Sequence, residues 1–440
     1  LMRSLRPLTS LLIATALLLA GHGLHLTLLP LRADQIGFSD TLIGLTASAY
    51  YLGFVTGCFF IPNIIAQVGH IRIFGALLAG FLSALLALDL SNHLAVWLIL
   101  RFTIGAMMCG AYTVIESWLT DQTPSDARGK VLAIYTFLTL AAITLGQFLV
   151  NLTPADSSKP FILAGILIAL AVVPVSLTKS LAPAPVPSTK LSFTLLYKRS
   201  HTAFAGGLLS GIVMGSFWSL AAVFSLRAAG TTDFVPLFIS STVVGGALAQ
   251  YPIGLISDRI DRRYVLAGLA IATAGSSLLM TLSTNTSWLL CAGFLFGAAA
   301  NAIYAVSLAK AADNSKPDEF VTIASSVLLL NSLAAATAPL AIGQMMSLFG
   351  SSFLFFGIAG FSVIAALYIM LQPLGKTAVS VEDQSPFVAA GLDTAPASFD
   401  NDPRSPEASE ADLQPLPERP SYSEFEAEFD YDEVFTEEEE

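Results

Sequence analysis

Twelve separate stretches of this chain are each long and apolar enough to cross a bilayer as one helix, and that leaves few folds open. A hydrocarbon core takes about 20 residues of helix. Runs of that kind lie at 8–31, 40–66, 71–90, 94–119, 130–151, 160–178, 201–227, 233–257, 263–283, 287–310, 320–347 and 351–372. Inside lipid the backbone must bond to itself, which permits helices and closed barrels. Barrel strands are short and alternate apolar with polar residues, whereas these runs are continuous. The expectation is an all-α membrane protein with twelve transmembrane helices. The first run exceeds the ~7–15-residue apolar core of a secretory leader and is read as a retained helix.

Charge is scarce and unevenly placed. Only 12% of residues are charged, against about 25% in soluble domains. Residues 373–440 hold 19 of the 32 acidic residues and 3 of the 21 basic ones. The net charge of −11 therefore describes this tail, and residues 1–372 are basic. Nothing in that distribution suggests nucleic acid as a partner. The tail is rich in Pro, Ser and acids, a composition that cannot bury enough apolar surface to order itself. It is read as a disordered cytoplasmic segment. Its aromatics, Tyr422, Phe425, Phe429, Tyr431 and Phe435, would permit residues 376–440 to dock on a cytoplasmic partner. Cys58, Cys109 and Cys291 each sit in an apolar run and read as small buried hydrophobes, with no metal or disulfide spacing.

Lys and Arg set the orientation. With both termini in the cytoplasm, 17 basic residues fall inside, and Arg32, Lys159 and Arg227 fall outside. The first and seventh runs, and the second and eighth, begin about 193 residues apart, as in transporters built from repeats. That shift lays Gly105 near Gly297 and Tyr112 near Tyr304. The organisation expected is two pseudo-symmetric six-helix bundles, 1–178 and 201–372. A proline-rich basic linker, 179–200, joins them, and the tail is 373–440.

The most informative turn is Gly254-Leu-Ile-Ser-Asp258-Arg259-Ile-Asp261-Arg262-Arg263, between the eighth and ninth runs. One acid at a helix end beside three arginines can bridge neighbouring helix ends and hold one side shut. The run resembles the loop motif of the major facilitator superfamily, G-x-x-x-D-R-x-G-R-R, with Asp261 in place of the second glycine. Arg101-Phe-Thr-Ile-Gly105 looks like that family's fourth-helix motif, and Pro124-Ser-Asp-Ala-Arg128-Gly129 like its following turn. Glu116-Ser-Trp-Leu, Arg128-Gly129-Lys130 and Leu145-Gly146-Gln147 look most like an uncharacterised bacterial branch, the YcaD type. The resemblance covers about residues 8–372 and implies two bundles rocking about a midplane cavity. In the first half the matching loop is Pro62–Ile71, where only Gly69 survives and Ala66 replaces the aspartate.

Ionisable groups inside a bilayer are costly and point to function. Arg101 lies about two turns into the fourth run. Gly105, Met108 and Tyr112 share its stripe, which is expected to face the cavity. His22 and His25 are neighbours on one helix face and could carry or sense a proton. Gln147, Trp218, Gln250, Tyr251, Asn301, Tyr304 and Asn331 are uncharged cavity candidates. A cytoplasmic gate is expected from Glu116, Arg128, Gly254, Asp258, Arg259, Arg262 and Arg263. There is no phosphate-binding G-x-x-x-x-G-K-[ST] loop and no nucleophile–base–acid set, so neither ATP-driven pumping nor enzyme activity is expected, and no cofactor.

The function read from these features is a monomeric secondary transporter of the bacterial inner membrane. It would move a small solute by alternating access, with proton-coupled export the first expectation. A facilitator or importer of a sugar-like or organic solute is the alternative within transport. A receptor or scaffold acting through the acidic tail is the alternative of another class.

Overall fold

The computed structural model describes residues 8–123, 128–154, 156–177 and 191–372, with 384, 385, 387, 388 and 399 of the tail. Most of the expected linker, 178–190, most of the tail and the Arg128 side chain lie outside the described residues. The described chain is helical, and the helices follow the apolar runs to within a few residues. In order they are α1 Thr9–Gln35, α2 Asp40–Val68, α3 His70–Asp89, α4 Leu94–Asp121, α5 Arg128–Phe148 and α6 Lys159–Ser176. A short α7, Phe193–Arg199, precedes α8 His201–Ala229, α9 Phe234–Ser257, α10 Arg262–Thr281, α11 Thr286–Asp313, α12 Phe320–Phe349 and α13 Phe353–Leu371. All except α7 are long and apolar enough to span a membrane. α1–α6 form one bundle and α8–α13 the other.

Lipid gives apolar side chains no reason to leave it, so helices in a membrane associate through close packing and small residues. The two bundles use the same device at matching places. A Cβ on Gly53 of α2 would stand 1.9 Å from the Phe102 carbonyl oxygen, and one on Gly105 of α4 would stand 1.9 Å from that of Tyr50. The α9–α11 crossing repeats this. A Cβ on Gly245 would meet the Phe294 carbonyl at 2.1 Å and one on Gly297 that of Thr242 at 1.9 Å. The two glycine pairs are 192 residues apart, so the weak repeat in the sequence is the repeat of a helix crossing. Gly23 of α1 and Gly146 of α5 make a third such seam, each set against the other helix's backbone.

These seams correct one expectation. The stripe below Arg101 does not form a cavity wall. Gly105 is spent on the α2 contact, and Met108 and Tyr112 are buried in the core of their bundle. The cysteines also differ from the expectation. Cys109 is buried and Cys58 half-buried, with their thiols 3.1 Å apart at the α2–α4 crossing, but Cys291 is exposed on the outer face of α11. A thiol is apolar enough for lipid to accept it there.

The bundles meet mainly at the end away from the arginine-rich turn, here called the far end; the other is the basic end. At the far end Arg227 of α8 bonds Asp34 of α1 at 2.6 Å and Asp40 of α2 at 2.9 Å. Thr41 of α2 bonds Gln344 and Ser347 of α12 at 2.9 and 3.0 Å. Glycines again allow the approach, since a Cβ on Gly44 would lie 2.2 Å from the Pro339 carbonyl and one on Gly343 2.4 Å from that of Asp40. At the basic end α7 is tied to the start of α12 by Arg199–Glu319, 2.7 Å. The bond from Arg199 holds the Glu319 carboxyl below the usual carboxylate range. This tie is therefore present at neutral pH and lost only as acid protonates Glu319 below the usual value of about 4.3.

The seams make a stability prediction. Gly→Ala in a helix interior ordinarily stabilises by about 1 kcal/mol, whereas forcing a side chain into a filled contact costs about 1–3 kcal/mol. Gly105→Ala and Gly297→Ala should each lower the thermal unfolding midpoint of the detergent-purified chain. Gly275→Ala, where a Cβ would meet nothing within 4 Å, should hold or raise it. Equal midpoints for the three would remove the seams from the account.

Candidate functional site

Three helices of the first bundle bring one charged cluster to the middle of the molecule. α4 supplies Arg101, 6% exposed, α1 supplies His22 and His25, and α2 supplies Tyr50. Arg101 Nε donates to the Thr46 carbonyl at 3.3 Å, and Nη1 donates to His25 Nε2 at 3.2 Å. A guanidinium has no acceptor, so His25 Nε2 is the acceptor and carries no hydrogen in this arrangement. The guanidinium also lies 4.8 Å from the centre of the Tyr50 ring, a cation–π contact. His22 stacks on His25 with ring centres 5.3 Å apart, and both meet the edge of Phe81.

Arg101 differs from the chain's other well-buried cations in its partners. Arg262 pairs with Asp258 and Asp313, and Lys310 with Asp261. Arg263 donates to the carbonyls of Ile369 and Met370 at the end of α13 and of Gln372 just beyond it. Among the described residues, no carboxylate lies within ion-pair distance of Arg101. It borders a small pocket together with Pro30, Thr46, Tyr50, Tyr51, Trp218 and Ser219. A second small pocket shares Tyr50, Tyr51 and Trp218 and reaches Met214 and Asn331. The two spaces adjoin at Tyr50, Tyr51 and Trp218 in a cleft between the bundles, with one cation on the α4 side.

Of the residues expected to line a cavity, Arg101, Trp218 and Asn331 do so here, and the Asn331 side-chain oxygen has no partner. His22 and His25 stand behind Arg101. Gln147 is fully buried with neither amide atom bonded. Asn301 donates to its own helix at Gly297 and packs against Gly246. Tyr304 is buried among residues of α11 and α12. Gln250 is half-buried, and Tyr251 is 75% exposed, on the outer face of α9. Tyr50, Tyr51, Thr46 and Ser219 escaped the sequence reading, because a phenol or hydroxyl in an apolar run carries no sign of what it faces. The Tyr50–Tyr51 pair four residues after Thr46 was the available signal.

The arginine-rich turn is built as a charge network within the second bundle. Arg262 is fully buried and donates to Ser257, the Ala309 carbonyl, Asp258 and Asp313, tying the α9–α10 turn to the end of α11. Asp261 explains its own departure from the family pattern. Its side chain caps α10 by accepting from the Arg263 amide at 2.9 Å and also takes Lys310 at 3.3 Å. Arg259 is exposed and stands apart from this network. In the first bundle α2 and α3 are separated by Gly69 alone, at φ +86°, a left-handed value suited to glycine. That joint carries none of the charges of its counterpart. Glu116 is buried and receives the Tyr135 hydroxyl at 3.5 Å.

The comparisons agree with this architecture. The Major Facilitator Superfamily profile matches residues 11–244 and 203–397. A Salmonella arizonae protein described as an uncharacterized MFS-type transporter, YcaD, is 25% identical over 375 residues, 84% of this chain and 97% of that one. Among solved structures, a bacterial homologue of the human lysosomal transporter Spinster, in an inward-facing and occupied conformation, is similar with a TM-score of 0.72. It is 15% identical, with 86% of this chain and 97% of that one covered. The nucleoside transporter NupG follows with a TM-score of 0.69, 13% identity and 83% and 98% coverage. Two six-helix bundles, a cleft between them and a family match over most of the chain lead to one statement: this protein belongs to the Major Facilitator Superfamily, a family of membrane transporters and not of enzymes.

Proposed function

We propose that the chain is a secondary transporter that carries a small organic anion through the cleft by alternating access, and that Arg101 is the group that receives the anion. The observation that carries this reading is the unmatched charge of Arg101. Burying a cation without a counter-ion costs several kcal/mol, and embedded ionisable groups mark solute paths. Arg262 and Lys310 have carboxylate partners within the protein, whereas Arg101 is held by the Thr46 carbonyl, His25 and the Tyr50 ring and, among the described residues, has no carboxylate within ion-pair distance. The rings of Tyr50, Tyr51 and Trp218 suit an anion with a flat or apolar body.

The arrangement of contacts supports an inward-facing state. The basic end is assigned to the cytoplasm by the distribution of Lys and Arg, and the bonds joining the bundles gather at the far end, the periplasmic one in this assignment. The membrane is then the bacterial inner membrane. Transport requires the Arg227 and Thr41 contacts to break while the basic end closes. The fuel is a gradient, since the chain has no phosphate-binding loop, and His25 beside Arg101 supplies a group that can exchange a proton.

Two measurements test these assignments. A library of small carboxylates, each paired with its neutral amide, is screened for thermal stabilisation of the purified chain. The hits are then followed as flux into proteoliposomes. Stabilisation by the acids and not the amides is expected, with Arg101→Gln cutting flux about 30-fold or more, the loss of a charge contact worth about 2–5 kcal/mol. Flux limited to neutral or cationic solutes, unchanged in Arg101→Gln, would sink the anion assignment. Separately, a pH-sensitive dye in the lumen should report proton movement with solute, and His22→Ala with His25→Ala should abolish it while solute still binds. Proton movement that persists in that double variant removes the histidines from coupling.

A further inference from the structure

The charge network of the α9–α10 turn has a ligand, and it comes from this chain. The Ser385 amide donates to Asp313 Oδ1 at 3.0 Å, and the Phe387 amide donates to Asp258 Oδ1 at 3.0 Å. Arg262 donates to the Ser385 carbonyl. Pro386, between them, has no amide hydrogen, so the free amides of Ser385-Pro386-Phe387 are the two that the carboxylates take. The Phe387 ring lies on Gly254, where a Cβ would come within 2.6 Å of ring atom Cδ1. Twelve residues on, Phe399 is 4% exposed and packed in a cluster with Leu196 of α7, Tyr304 and Leu308 of α11, and Phe320 and Leu328 of α12.

We propose that the cytoplasmic face of the second bundle is a docking surface for the chain's own tail, through Ser385, Phe387 and Phe399, and that the docked tail holds the basic end open. The occupant is argued from contact and from tethering. α13 ends at Leu371, and the 13 residues from there to Gln384 span at most about 45 Å. A short tether keeps the tail at an effective concentration in the millimolar range, so two amide bonds and two phenyl rings suffice. The effect on transport rests on the carrier reading above. At the sealed far end the bundles meet through bare backbone at Gly44 and Gly343. Gly254 offers the same kind of surface at the basic end, and Phe387 occupies it. An approaching helix end of the first bundle and the tail cannot both sit there. Asp258 and Arg262, read from sequence as part of a gate, then have a second role, with Asp313, as the tail's receptor.

The test uses the full chain in lipid nanodiscs, with Cys58, Cys109 and Cys291 replaced by Ala. Spin labels are placed at Val68→Cys and Tyr264→Cys, exposed positions on opposite bundles at the basic end. Phe387→Ser with Phe399→Ser is compared with the unaltered tail, and deletion of residues 376–440 serves as a second variant. Hydrogen exchange at the Ser385 and Phe387 amides should be slowed at least tenfold in the unaltered chain and return to coil rates in the double variant. The label distances should show one long population with the tail docked and an added short population once it is released or deleted. Coil-like exchange in the unaltered chain overturns the docking. Identical distances in all three chains overturn the hold on the basic end when Arg227→Ala, breaking the far-end seal, does bring the labels together. If that variant also leaves them apart, the carrier reading falls and takes the hold with it.

Discussion

What the two bundles can do depends on the contacts that join them, whose polar bonds, among the described residues, gather at the far end. Each bundle is held internally by backbone-to-backbone seams at Gly53–Gly105, Gly245–Gly297 and Gly23–Gly146, contacts that repack only at a steep steric cost. Between bundles the structure offers one guanidinium shared by Asp34 and Asp40, a short hydroxyl and amide set around Thr41, and the Gly44 and Gly343 approaches. Partly exposed ion pairs contribute little, and a glycine approach separates without unfolding anything. The α2–α12 approach at Gly44 and Gly343 is as close as the seams inside each bundle, so the joint between the bundles is distinguished by where it lies, at the far end, and not by looser packing.

The charges follow the same division. In the second bundle Arg262, Arg263 and Lys310 are satisfied by carboxylates and helix-end carbonyls on α9, α10, α11 and α13, and they brace that bundle as one body. In the first bundle the corresponding turn is reduced to Gly69, and its embedded cation, Arg101, borders the cleft with no carboxylate among the described residues within ion-pair distance. The second bundle pairs its buried cations with carboxylates and helix-end carbonyls, and the first holds Arg101 with a carbonyl, an imidazole and an aromatic ring. The asymmetry is chemical, while the fold keeps its pseudo-symmetry.

Much of this was legible in the sequence, for reasons that also mark where legibility stops. The twelve spans follow from the cost of bare backbone in lipid, which forces each apolar run to pair within itself. The Gly105–Gly297 correspondence was visible as a repeat, but its meaning, a helix crossing, needed the neighbouring backbone at Tyr50 and Thr242. Arg101 stood out because a charge in an apolar run is rare. Tyr50 and Tyr51 did not, because their place on the cleft depends on how α2 crosses α4. Arg227 was read only as an outward-side residue, since a bond between bundles belongs to one conformation and leaves no local pattern. The contacts of Ser385 and Phe387 were beyond reach for a similar reason, as a polar tail's composition does not say where a single phenylalanine will settle.

The claim that the far end must open is tested most directly by locking it. Thr41 Oγ1 and Ser347 Oγ are 3.0 Å apart across the two bundles, so Thr41→Cys with Ser347→Cys, in a chain otherwise without cysteine, should form a bridge on oxidation. Flux of an anion that stabilises the purified chain should then fall to the level of protein-free liposomes and return when the bridge is reduced. Full flux through the bridged chain would show that the bundles do not part at that end, and would contradict transport by alternating access.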